Sequence, residues 1–139
     1  MFDKIKNFIN KLNSGYFYNL DKNTLIKYLE EQVEFANQND LEAVENLNIY
    51  YNNKKYELSI WNFTKSKLKQ EQEQGFSVLF DNKEYRSISN LFRTATVENK
   101  LLDEIKYFKI ELINGDSTVL NDYKKNHPEL TDEFIKNNQ

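Results

Sequence analysis

Residues 47–61 read Leu47-Asn48-Ile49-Tyr50-Tyr51-Asn52-Asn53-Lys54-Lys55-Tyr56-Glu57-Leu58-Ser59-Ile60-Trp61. Two arms rich in β-branched and aromatic residues flank a polar centre. In the second arm Tyr56, Leu58 and Ile60 alternate with Glu57 and Ser59, the period of a strand with one buried face. Asn tolerates the left-handed backbone that a tight turn needs, so Asn52-Asn53-Lys54-Lys55 predicts a β-hairpin.

Other segments arrange themselves around this hairpin. Tyr107-Phe108-Lys109-Ile110-Glu111-Leu112-Ile113 alternates in the same way and is closed by Asn114-Gly115-Asp116. Phe76–Phe80 reads as a further strand, Asp81-Asn82-Lys83-Glu84 as a turn, and Tyr85 as the start of a return arm. Helical spacing appears at 2–13, through Phe2, Ile5, Phe8, Ile9 and Leu12, and at 24–37, through Leu25, Leu29, Val33 and Ala36. Asp21-Lys22-Asn23 supplies a cap for the second of these helices. Asn37-Gln38-Asn39-Asp40 breaks it, and a short helix over 41–46 with Asp40 as its cap is expected to follow. Residues 64–74 are polar, read as an exposed helical extension or a connection, and Gly75 ends them. Further helices are expected at 87–95, 97–106, 117–125 and 128–137, with Pro128 in the first turn of the last. The order is helical, then strand-rich, then mixed. That predicts one α+β domain over 1–139, an antiparallel sheet of about four to five strands packed with N-terminal and C-terminal helices.

Composition narrows the chemistry. The chain has no Cys, a single His (His127), a single Pro and three Gly. Thiol catalysis and thiolate metal sites are excluded, and a Gly-rich phosphate loop has nowhere to sit. Ten Phe, nine Tyr and one Trp supply core area despite a mean hydropathy of -0.82. The net charge of -3 gives no global basic field for nucleic acid. The N-terminal apolar residues are interrupted by Lys and Asn, unlike a secretory signal, and no apolar run approaches the roughly 20 residues that span a bilayer. A cytoplasmic protein without a membrane, metal or cofactor is expected.

Three groups of polar residues stand out. His127 lies in a polar run beside Pro128 with no nucleophile nearby, and reads as an exposed residue near a helix start. From Tyr28 to Asn53 the chain carries Glu30, Glu31, Glu34, Asp40, Glu42 and Glu45 and no Lys or Arg. Glu30 and Glu34 share a helix face and repel each other. Such a face is either ordinary solvated surface or the meeting place of a basic partner. Lys54, Lys55, Lys65, Lys67 and Lys69 follow among Tyr50, Tyr51, Tyr56, Trp61 and Phe63, a composition that can stack single-stranded bases. Strand aromatics are more often core, and these lysines can equally pair with the acidic stretch. Arg86 and Arg93 lack the Gly-rich loop that would make them phosphate ligands.

Residues 76–113 run strand, Asp-Asn-Lys-Glu-Tyr turn, short helix around Ile88 and Leu91, then Val97-Glu98-Asn99-Lys100-Leu101-Leu102-Asp103-Glu104-Ile105 and a final strand. This order resembles small accessory proteins of Gram-positive bacteria and their phages, including immunity proteins of toxin systems. The resemblance implies a non-catalytic inhibitor of one cognate protein. The sequence therefore predicts a partner-occluding protein, either a toxin immunity protein or a phage anti-defence (anti-CRISPR) protein. Its expected contact residues are the six acids, and its expected partner a toxin or defence nuclease with a basic surface. The alternatives are a nucleic-acid or nucleotide-binding module using the five lysines, and an enzyme using carboxylates alone.

Overall fold

The hairpin forms where the sequence predicts it, in a computed structural model that describes residues 16–64 and 66–139. Its arms are β2 (Ala43–Tyr51) and β3 (Lys54–Asn62), joined by Asn52 and Asn53 at φ 53° and 65°. Positive φ at both turn residues matches the right-handed twist of the strands. β3 continues into β4 (Phe76–Phe80) and β5 (Lys83–Tyr85), while β8 (Tyr107–Leu112) pairs the other side of β2 and then β1 (Tyr16–Asp21). The sheet order is β1-β8-β2-β3-β4-β5, antiparallel throughout. The fold is α+β as expected, but the main sheet has six strands, and β6 (Thr96–Val97) and β7 (Lys100–Leu101) form a separate pair.

Helix α1 (Lys22–Gln38) crosses one face of the sheet, and α3 (Ile88–Thr94) packs beside it. Leu25, Leu29 and Ala36 of α1, with Ile88, Leu91 and Phe92 of α3, are buried against Leu20, Leu47, Ile49, Leu58, Ile60, Val78, Phe80, Phe108 and Ile110. The strand partners place all of those sheet residues on one face. Helix α2 (Lys69–Gln74) lies within the polar 64–74 stretch. After β8 come α4 (Thr118–Asn126), which buries Leu120, and α5 (Asp132–Asn138), which buries Ile135. α5 sits on the second face of the sheet. Phe134 meets Tyr107 edge to face at 5.1 Å, and Asp132 pairs with Lys109 at 3.2 Å.

Four expectations change. Residues 43–46 are strand, not helix, because β3 claims their backbone. Asp40 does not begin a helix but ends one. It takes φ 53°, the Leu41 N–H returns to the Ala36 carbonyl, and the Asp40 N–H reaches that of Asn37, a Schellman stop. Residues 97–106 are a two-residue turn at Glu98-Asn99 (φ 50° and 67°) followed by a 3₁₀ turn at Leu102–Glu104. Val97, Leu102 and Ile105 are nevertheless core, as their spacing implied. Pro128 lies before the last helix rather than in it, since Thr131 is its N-cap. The 2–13 helix expectation lies outside the described residues, as does Lys65. No helix among the described residues is long and apolar enough to cross a membrane.

Candidate functional site

The site is built on α1 and the turn that follows it. Asp21 caps α1: one carboxylate oxygen accepts the Thr24 N–H at 3.2 Å, and the other accepts the hydroxyls of Thr24 and, at 2.5 Å, Tyr123. Burial alone would raise this carboxyl, but the bonds from Thr24 and Tyr123 outweigh it and hold it below the usual Asp value. With the start of the helix fixed and its apolar stripe facing the sheet, Glu30, Glu31, Glu34 and Phe35 are left outside. Phe35 is 56% exposed, and Leu41, just past the Schellman stop, is 43% exposed. Lys27 approaches Glu31 at 4.0 Å, an exposed pair one turn apart that adds little.

The turn then joins the end of β3. The Glu42 carbonyl accepts the Asn62 N–H at 2.7 Å, which brings Trp61 alongside. Trp61 is 39% exposed and parallel to Phe63, with ring centres 6.4 Å apart. Leu68 in the following loop, Ile113 after β8 and Tyr16 at the start of β1 are exposed at the same end of the sheet. Trp61 points to the face of the sheet opposite α1, and Leu79 on β4 and Val119 on α4 are exposed apolar side chains as well. Phe35 and Leu41 were absent from the sequence-derived site. The available signal was that Phe35 falls off the Leu25, Leu29, Val33, Ala36 stripe.

The six acids do not form one patch. Glu31 and Glu34 flank Phe35 on the outer face of α1, and Asp40 and Glu42 are exposed on either side of Leu41. Glu30 turns toward α3 and lines a cleft with Arg86. Glu45 is drawn inward. The two-residue period of β2 puts it in the inner row with Leu47 and Ile49, just after a β-bulge between Ala43 and Glu45, and there it accepts the Tyr28 hydroxyl at 2.5 Å. Burial raises the Glu45 carboxyl above the usual Glu value, against the opposing bonds from Tyr28 and the Asn46 N–H. The same burial, with Glu45 as partner, pushes the Tyr28 hydroxyl up.

The lysines are separated as well. Lys54 and Lys55 begin β3, whereas Lys67 and Lys69 follow its other end, about 25 Å away for a nine-residue strand. Lys54 is held by Glu98 at 3.0 Å. Tyr51 and Tyr56 pack against the core, and Tyr50 donates its hydroxyl to Glu111 at 2.8 Å on the other face. Burial and that carboxylate push the Tyr50 hydroxyl up to about 12. His127 is half-buried at the end of α4 rather than at a helix start. Its Nδ1 meets the Tyr123 carbonyl at 2.8 Å, and its ring stacks on that of Tyr123 at 3.9 Å. Among the described residues no group of three or more His, Asp or Glu is placed to hold a metal ion.

No protein-family model, curated protein or solved structure matches the chain.

Proposed function

We propose that this chain is a non-catalytic, cytoplasmic inhibitor that docks on a cognate protein through the outer face of α1 and the α1–β2 turn. One observation carries the reading: Phe35 and Leu41 stand exposed with Glu31, Glu34, Asp40 and Glu42 around them. An exposed aromatic ringed by charge is the composition of a binding anchor, and the acids steer a basic partner into register. Stoichiometric coverage of a basic active or substrate-binding surface then inhibits without chemistry. A toxin immunity protein and a phage anti-defence protein both work in this way. The spatial separation of the lysines favours this reading over a nucleic-acid platform.

A photocrosslinker placed at Phe35, with a control at Asn99 in the β6–β7 turn, tests it in the source cell. The expected result is one dominant adduct from Phe35 and none from Asn99. Glu31→Lys with Glu34→Lys should slow association with that captured protein at low ionic strength and leave the fold intact. Equal crosslinking from both positions, or an unchanged association rate, removes this face as the interface.

A further inference from the structure

Val33 belongs to the apolar stripe of α1 yet is only half-buried. It stands on the wall of a cleft of about 250 Å³ between α1 and the start of α3. Ile60, Phe76, Val78 and Ile88 complete the apolar lining, and Glu30 and Arg86 bring opposite charges to it. Neither charge forms an ion pair with a described residue. Phe76 and Arg86 also line a neighbouring recess with Glu84, Tyr85 and Asn90. The two recesses side by side offer more than the space of one side chain.

These features select an occupant. The apolar lining takes an aliphatic or aromatic side chain, whose burial removes carbon from water on both partners. Glu30 is the carboxylate on the α1 wall of the cleft and attracts a cation. Arg86, a planar five-donor group, suits a carboxylate or main-chain carbonyls on the other side. The neighbouring recess beside Phe76 accommodates a length of chain rather than a compact molecule. We infer that this cleft is the anchor pocket for a peptide segment of the protein partner that carries an apolar side chain next to a Lys or Arg. The inference rests on the protein-binding reading above and gives its partner a chemistry.

The full chain, labelled for amide shift mapping, is titrated with N-acetyl-phenylalanyl-arginine amide and, as a control, N-acetyl-phenylalanyl-glutamate amide. The expected result is saturable shifts at Val33, Ile60, Val78 and Ile88, several-fold tighter for the arginine probe. Glu30→Gln should remove that preference. Ser89→Trp, at an exposed position on the cleft rim, should abolish both responses while the remaining amide pattern stays native. Non-saturable shifts, shifts confined to other surfaces, equal binding of the two probes, or binding that survives Ser89→Trp would each overturn the inference. Phe35 crosslinking in the Ser89→Trp background separates it from the functional reading. An undiminished adduct means the protein binds its partner without the cleft, so this inference falls and the other stands. A chain that gives no adduct in either background loses the functional reading itself, and the peptide titration still decides whether the cleft binds.

Discussion

Asp21 joins two helices through one carboxylate. It caps α1 through Thr24 and accepts the Tyr123 hydroxyl from α4. Replacing an N-cap acid with Ala typically costs about 1–2 kcal/mol, so Asp21→Ala should lower the urea midpoint at neutral pH. The pH dependence follows from the lowered carboxyl. A group held below its unfolded value contributes stability above that value and loses it as pH falls through the folded one. The gap between Asp21→Ala and the parent should therefore close as pH drops below 3.8, and a gap independent of pH would contradict the geometry. Glu45 has the opposite sign. Its carboxyl is raised by burial, so the folded state holds the proton more tightly than the unfolded chain. Stability then falls as pH rises from 4.5 through the folded value. Glu45→Gln keeps an acceptor for Tyr28 and has no charge to bury. It should flatten that fall in a series of melting temperatures from acid to neutral pH, and a parallel profile would show that Glu45 contributes no linkage.

Three hairpin turns repeat one local solution: Asn52-Asn53 before Lys54, Asp81-Asn82 before Lys83, and Glu98-Asn99 before Lys100. All six turn residues have positive φ, between 50° and 67°, with Asn always second. That conformation strains any side chain on a branched Cβ by roughly 1–2 kcal/mol. Asn82→Val should cost about that much in chemical denaturation, whereas Asn82→Gly should stay within a few tenths. Equal losses for both would mean that the side chain of Asn82, not its backbone, holds the turn. The first two turns were legible because strands of clear alternation flank them. The third was not, because Val97, Leu101, Leu102 and Ile105 also satisfy a helical spacing, and only the pairing of Thr96 with Leu101 decides otherwise. Residues 43–46 misled for a related reason. Ala and Glu favour helix locally, and the pairing with β3 overrides them. The acidic half of the site was legible as charge on a helix face. Its dispersal was not, since residues 43–46 read as helix, and only as strand does Glu45 fall in the inner row with Leu47 and Ile49.

The sheet is covered unequally. Its inner face is covered by α1, α3 and α4, while α5 covers only the β1–β8 side of the other. α5 is seven residues long and holds on through Ile135, the Phe134–Tyr107 ring contact and the Asp132–Lys109 pair. Its docking also has an internal cost. The Asn19 amide donates to the Leu130 carbonyl at 3.0 Å and to Asp132 at 2.9 Å, which leaves Asn19 Oδ1 buried with no donor among the described residues. A buried acceptor without a partner costs about 1–3 kcal/mol, and undocking α5 lets water reach it. The short helix gains little from its own backbone, so its stability depends on that docking. Native-state hydrogen exchange should then show two classes. Amides of β2, β3 and β8 should exchange only through global unfolding, with full dependence on denaturant. Amides of α5 should exchange through a local opening of much lower free energy and weak denaturant dependence. Asn19→Leu, which removes the stranded acceptor along with its donors, should affect α5 protection and leave β3 unchanged. If α5 and β3 instead exchange with one common free energy, the second face is part of the single cooperative unit and the cost at Asn19 is met elsewhere in the core.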